Sequence, residues 1–193
     1  GNGLQTFGTV TKTAVATGAE LVGYNASNST SYLEQPYNSE LDFGTAGDFH
    51  YSFWVYSDSS ATYNSSTYIF ERTSVGDPSG RRIEARLDTS SNLQVYATDA
   101  VFVTGSTAIT VNTNSWNKVD IVRKSNVGSV WVNGLQQVSG SHSGNMTDTS
   151  AKLTVCNRGY FSPHNQGFPS GIALFRVSGT APTDEQVAKM YND

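Results

Sequence analysis

Phe49-His50-Tyr51-Ser52-Phe53-Trp54-Val55-Tyr56 alternates with a period of two. Successive side chains of a β-strand point to opposite faces, so Phe49, Tyr51, Phe53 and Val55 share one face, and that face is predicted to be core. The same rhythm recurs on both sides of a turn-forming run. Arg82-Ile83-Glu84-Ala85-Arg86-Leu87 puts Ile83, Ala85 and Leu87 inward, with Arg82, Glu84 and Arg86 outward. Asp88-Thr89-Ser90-Ser91-Asn92 leads into Leu93-Gln94-Val95-Tyr96-Ala97, and a hairpin across it would set Gln94 and Tyr96 on the same outward face. Further on, Lys118-Val119-Asp120-Ile121 and Ser129-Val130-Trp131-Val132 send their valines and isoleucine in and Asp120 and Trp131 out.

Helical signals are confined to the end of the chain. Thr183-Asp184-Glu185-Gln186 after Pro182 reads as a capping box, and Val187, Met190 and Tyr191 form an apolar stripe predicted to dock on the strands. Strands every ten or so residues with one terminal helix make residues 1–193 a single all-β domain, a two-sheet antiparallel jelly-roll sandwich.

Composition narrows the functional classes. With 12 Lys+Arg against 16 Asp+Glu and only 15% charged residues, the chain has no broad basic field for nucleic acid. No run approaches the roughly 20 apolar residues that span a bilayer, and Gly1 to Phe7 lacks the charged start and apolar run of a leader peptide. A chain with neither membrane insertion nor a signal peptide is expected. The single cysteine, Cys156, ends the alternating stretch Lys152-Leu153-Thr154-Val155-Cys156 and is read as a half-buried small residue, not a reactive thiol. Asn-x-Ser/Thr sequons at Asn25, Asn28, Asn64 and Asn145 carry little weight in a chain so rich in these residues.

Three segments resemble the concanavalin A-like lectin/glucanase (laminin-G-like) superfamily. They are Leu41-Asp42-Phe43-Gly44 leading into the Asp48 to Val55 strand; Trp116 through Val130-Trp131-Val132-Asn133-Gly134; and Gly171-Ile172-Ala173-Leu174-Phe175-Arg176-Val177. The Val-Asn-Gly ending is the most specific, because Asn133-Gly134 suits the positive φ angles of a tight hairpin. The ending Thr180 to Asp193, with Gly8 to Thr13 and Tyr32 to Tyr37, resembles domains of bacteriophage tail fibres. That resemblance implies a location in a virion fibre or outside the cell, a bacterial surface glycan as partner, and a homotrimeric assembly.

The superfamily includes glycoside hydrolases, whose laminarinase-like branch draws its acid and nucleophile from a strand reading Glu-x-Asp-x-(x)-Glu. Glu40-Leu41-Asp42 starts that pattern, but Gly44 or Thr45 stands where the second Glu belongs. Glu84 and Asp88 flank Arg86 and read more simply as a salt-bridged strand face. His50, His142 and His164 have no zinc or triad spacing. No catalytic residue is therefore assigned, and a non-enzymatic domain is expected.

Sugar binding asks for aromatic faces and a few orienting polar groups. Two sets qualify. One is an outward strand face with Arg82, Glu84, Arg86, Gln94, Tyr96, Asp120 and Trp131, of which Arg82, Arg86, Tyr96 and Trp131 are the candidate ligand contacts. The other is the loop from Asn157 to Gln166, with Arg158, Tyr160, His164 and Asn165 as candidates and no acidic residue to repel an anionic glycan. Pentraxin-like relatives place acidic calcium ligands before the last core strand, yet Leu153 to Phe175 contains no Asp or Glu, so no metal or other cofactor is expected. The competing reading is a structural brick whose exposed aromatics pack against copies of itself in a fibre.

Overall fold

The computed structural model describes residues 3–26, 28, 30–63, 67–76, 82–98, 100–159 and 167–192. The strands are β1 (Gln5–Phe7), β2 (Thr11–Ala14), β3 (Val22–Asn25), β4 (Tyr32–Gln35), β5 (Phe49–Ser57), β6 (Thr67–Thr73) and β7 (Ile83–Leu87). They continue as β8 (Leu93–Ala97), β9 (Ala100–Val101), β10 (Ser115–Lys124), β11 (Val127–Val132), β12 (Leu135–Ser141), β13 (Lys152–Val155) and β14 (Ile172–Ser178), followed by helix α1 (Asp184–Asn192). They form two antiparallel seven-stranded sheets: a front sheet ordered β1-β4-β13-β6-β7-β8-β9 and a back sheet ordered β12-β11-β10-β5-β14-β3-β2. This is the expected jelly-roll sandwich. Neither α1 nor any other described helix is long and apolar enough to cross a membrane.

Alternation in the long strands dictates the core. Phe49, Tyr51, Phe53 and Val55 of β5 are fully buried, as are Val119 and Ile121 of β10, which pairs with β5 from Ser57↔Ser115 to Phe49↔Arg123. From the front sheet they meet Phe70, Ile83, Ala85, Leu87, Leu93 and Val95. The Tyr51 and Phe70 rings stack at 5.1 Å. Burying each such side chain contributes roughly 1.5–3 kcal/mol, which makes this aromatic seam the main source of cohesion between the sheets.

Turns follow the local chemistry. Asn133 and Gly134 have φ of 52° and 74° between the paired residues Val132 and Leu135, as a two-residue hairpin requires. Asp88 Oδ1 accepts the backbone N–H groups of Ser90 and Asn92, fixing the β7–β8 turn in the register Leu87↔Leu93. In the capping box, Gln186 N–H donates to Thr183 Oγ1 and Thr183 N–H to Gln186 Oε1.

The structure departs from the pattern expected from the sequence at α1 and at Cys156. Of the apolar stripe on α1, Val187 is 1% exposed, whereas Met190 and Tyr191 are 38% and 39% exposed; Tyr191 only reaches the Trp54 ring at 6.0 Å. The stripe lies at the margin of the contact, so one residue anchors it. Cys156 is fully buried, just past β13 with φ of 67°, and burial pushes its thiol up to about 12. It is inert packing.

Candidate functional site

On the outer face of the front sheet the strand register aligns one row from Glu34 through Thr154, Glu71 and Glu84 to Tyr96. A second row runs Tyr68–Arg86–Gln94. These rows carry the candidate site. The Arg86 guanidinium stands 4.4 Å from the Tyr96 ring centroid and 5.8 Å from that of Tyr68, while that of Arg158 lies 5.2 Å from the Tyr68 centroid. Arg86 Nε donates to Gln94 Oε1 at 2.8 Å, Gln94 Nε2 donates to Asp88 Oδ2 at 3.2 Å, and Arg86 Nη1 meets Glu84 Oε1 at 3.2 Å. Arg86 Nη1 also donates to the Tyr68 hydroxyl at 3.3 Å, so the guanidinium is held over the Tyr96 ring and against the edge of Tyr68.

Its electrostatics follow from that packing. Burial works against the charge of Arg86, but Glu84 and the phenols of Tyr68 and Tyr96 more than offset it and hold its pKa above the ordinary value. Burial, with the carboxylates Glu84 and Glu71, raises the Tyr68 phenol. Tyr68 is 1% exposed, whereas Arg86, Gln94, Tyr96 and Arg158 are half-buried.

The structure therefore joins members of both sequence-derived sets, Arg86 and Tyr96 from the strand face and Arg158 from the loop, around a residue that neither set contained. Tyr68 carries no alternation signal in the sequence, because β6 has a bulge between Tyr68 and Phe70 that sends both Ile69 and Phe70 into the core. Glu84 points outward as expected but is fully buried, as are Glu71 and Thr154 beside it. Alternation reports which side of a sheet a residue takes, not whether that side is covered. Arg82 goes elsewhere, its Nη2 lying 3.4 Å from Asp148 Oδ2. Tyr160, His164 and Asn165 lie outside the described residues.

Trp131 and Asp120 do not belong to this surface. Both sit on the back sheet, on the opposite side of the sandwich. Trp131 is 7% exposed, packed with Val122 and Val187 beneath α1, and its indole N–H donates to Ser129 Oγ. Asp120 is fully buried, held by both Lys118 Nζ contacts at 2.7 and 2.8 Å and by His50 Nε2 at 2.7 Å. Burial opposes its charge, yet those partners keep its pKa below the usual value. The outward direction of Trp131 was right; the helix that covers it turns a platform into core.

The Glu40–Asp42 segment forms a 3-10 turn (Ser39–Leu41) and its C-cap, not a strand. Asp42 accepts from Arg72 Nη2 at 2.5 Å, the Tyr37 hydroxyl at 2.8 Å and the Asp148 N–H at 3.0 Å. Burial opposes ionisation there, but these bonds prevail and lower its pKa. Arg72 and Arg123, 1% and 0% exposed, clamp this end of the sandwich: Arg72 donates to Met146 O, and Arg123 to the carbonyls of Phe43, Gly44, Gly47 and Gly144. Among the described residues no group of three or more His, Cys, Asp or Glu is placed to hold a metal ion.

Solved structures share this architecture. Domain 4 of an extracellular GH43 arabinanase from Geobacillus stearothermophilus, in complex with arabinotriose, matches with a TM-score of 0.66 and 17% identity over 95% of this chain and 82% of that one. A botulinum neurotoxin type C structure, described as dependent for cell entry on two ganglioside molecules, matches at 0.65 and 11% over 98% of this chain and 46% of that one. Trypanosoma rangeli sialidase bound to 2,3-difluorosialic acid matches at 0.62 and 9% over 90% of this chain and 28% of that one. The chain spans less than half of the toxin and sialidase chains, and at these identities the likeness is one of fold. No curated protein matches it in sequence. A family model does match, over residues 27–188, and the chain belongs to the concanavalin A-like lectin/glucanases superfamily.

Proposed function

We propose that this domain is a non-catalytic carbohydrate-binding module that reads a glycan through the outer face of its front sheet. The observation that carries the reading is Arg86 held over the half-buried Tyr96 ring and bonded to the Tyr68 hydroxyl, with Arg158 beside Tyr68. It supplies an aromatic face for a sugar ring and fixed N–H donors for hydroxyl or carboxylate oxygens. Fold neighbours solved with arabinotriose and linked to gangliosides support a sugar as the ligand class. Two observations favour binding without turnover. A glycosidase presents two carboxyl groups to the scissile bond. Here Asp42 is spent on Arg72, Tyr37 and Asp148, and the cross-strand neighbours Glu71 and Glu84 are buried.

The tail-fibre resemblance of the terminal segments makes a virion fibre, assembled as a trimer, the proposed setting and a bacterial surface polysaccharide the proposed ligand. The loop that begins at Arg158 has no acidic residue, which suits an anionic glycan. The test is an array of bacterial polysaccharides followed by calorimetric titration of the best hit. Tyr96→Ala and Arg86→Ala should each weaken binding by about tenfold, the loss of roughly 1.4 kcal/mol. The melting temperature should hardly change for Tyr96→Ala but fall for Arg86→Ala, which takes a cationic partner from the buried Glu84 carboxylate. Undiminished binding by both variants would place the site elsewhere. Altered subunit association without any glycan binding would favour the structural brick.

A further inference from the structure

The outer face of the back sheet is divided in two. One half, with Val122 and Trp131, lies under α1 and its approach. The other half carries a cleft of about 310 Å³, a size suited to a sugar ring or two, where β10, β5, β14 and β3 run side by side. We infer that this cleft is a second carbohydrate site, for the terminal neutral pyranose of a glycan, with Trp116 and Tyr56 as its stacking surface. The inference stands on residues distant from the front sheet and is independent of the reading given above.

The cleft is built around one indole. Trp116 and Tyr56 are register partners on β10 and β5, and their rings meet edge to face at 5.6 Å. The six-membered ring of Trp116 reaches past Tyr56 to lie against the backbone of Gly171 and Gly23. A Cβ added at Gly23 would fall 2.7 Å from the ring and one at Gly171 2.8 Å, so Gly23 on β3 and Gly171 just before β14 provide its seat. The indole N–H donates to Val15 O at 3.0 Å, which fixes the ring's rotation. A large, rigid and half-exposed aromatic surface is thereby held ready at low entropic cost.

Polar groups stand at the margin. Asp58, Asn25 and Ser170 line the cleft. Asp58 is oriented by Ser60, whose N–H and hydroxyl donate to its Oδ1, and these bonds keep its carboxyl below the usual range. Ser170 Oγ is within 2.7 Å of the Tyr63 hydroxyl, and Asn25 Oδ1 accepts from Thr11. Carboxylate and amide oxygens accept hydrogen bonds from sugar hydroxyls, while the indole takes the C–H face of the ring. Among the described residues no Lys or Arg lines the cleft, although Lys12 Nζ lies 5.6 Å from the ring centroid of the lining Tyr24, and Asp58 would repel an anion. The chemistry selects an uncharged sugar, the opposite preference from the Arg86 face.

The experiment uses the full chain with ¹⁵N-labelled tryptophan. Indole N–H resonances are followed while the α- and β-methyl glycosides of glucose, galactose and mannose, then maltotriose and cellotriose, are added. At least one sugar should shift the Trp116 resonance saturably, with a Kd on the order of 1 mM, and leave Trp131 unmoved. Tyr56→Ala and Asp58→Asn should each weaken that binding by about fivefold or more. The unmodified protein decides the matter even if a variant folds poorly, because the same sugar should also protect Trp116 from oxidation by N-bromosuccinimide. Absence of any saturable Trp116 shift up to about 50 mM sugar overturns the inference. So does an equal response to methyl glucuronide, or binding that both well-folded variants leave intact.

Discussion

Arg86 and Tyr96 are diagonal neighbours on adjacent strands: the register pairs Arg86 with Gln94 and Tyr96 with Glu84, yet the guanidinium leans 4.4 Å over the Tyr96 ring. That lean is held by the Gln94 and Glu84 contacts, so the cation on this face has a fixed plane as well as a charge. Arg86→Lys separates the two properties. Lysine keeps the charge but offers no planar fork to lie on the phenol or to engage Gln94 and Glu84 together. We expect Arg86→Lys to lose about as much glycan affinity as Arg86→Ala, near tenfold by titration, at unchanged ionic strength. Near-native affinity for the lysine variant would mean that only charge matters here.

Trp131→Ala should behave as a core mutation. The indole is 7% exposed, packs on Val122 and Val187, and donates to Ser129 Oγ. Truncating a buried Trp typically costs about 3–5 kcal/mol, so the urea midpoint should fall sharply while glycan affinity of the folded protein stays unchanged. A selective loss of glycan binding at full stability would return Trp131 to the list of sugar contacts.

Trp131 also shows where reading the sequence ends. Strand alternation revealed the core of β5, β7, β8, β10 and β11, because a half-buried strand writes its burial into every second residue. It gave Trp131 the correct side of its strand, but which sheet a strand joins, and what lies over its outer face, depends on contacts distant in the chain. Tyr68 was lost for a local reason, the bulge that puts Ile69 and Phe70 inward together. Trp116 and Tyr56 were legible as aromatic strand residues, but their seat on Gly23 and Gly171 joins segments more than a hundred residues apart in the chain. The buried arginines, Arg72 and Arg123, answer backbone carbonyls, which carry no sequence signature.

Asp42→Asn should destabilise the domain without affecting glycan binding. The carboxylate compensates Arg72, which is 1% exposed, and also fixes Tyr37 and the Asp148 N–H. Removing one partner of a buried ion pair strands the other charge, at a cost of about 3–5 kcal/mol for fully buried pairs and less here, since Asp42 is 12% exposed. Equilibrium unfolding at pH 7 measures it. An unchanged midpoint would show that the carbonyls of Met146 and Asp148 satisfy Arg72 by themselves.

Chelation should leave the protein unchanged. Among the described residues no acidic or histidine cluster is arranged for a metal, so the melting temperature in EDTA should match that in calcium to within measurement error. A fall of several degrees in EDTA, restored by calcium, would reveal ligands outside the described residues.

His142 should make the domain acid-sensitive above the carboxylate range. It is 7% exposed, its ring lies 4.7 Å from Phe102, and neither ring nitrogen has a hydrogen-bond partner among the described residues. Burial, and then the charge of Arg123, push its pKa down to about 4, against about 6.5 in an unfolded chain. The folded state therefore binds fewer protons than the unfolded one between these values, and stability rises with pH across that window. The contribution is complete above pH ~6.5 and is lost as pH falls towards ~4, with a slope of at most about 1.4 kcal/mol per pH unit for one proton. The lowered carboxyls of Asp42, Asp120 and Asp148 act separately, below their ordinary value of 3.8. His142→Phe removes the titrating ring and keeps an aromatic side chain against Phe102. Urea midpoints measured from pH 7 to pH 4.5 should decline for the native protein and run flatter for the variant, with no penalty at pH 7, where the ring forgoes no hydrogen bond to a described residue. Parallel declines in the two proteins would mean that His142 is protonated in place, or that other groups set the acid limb.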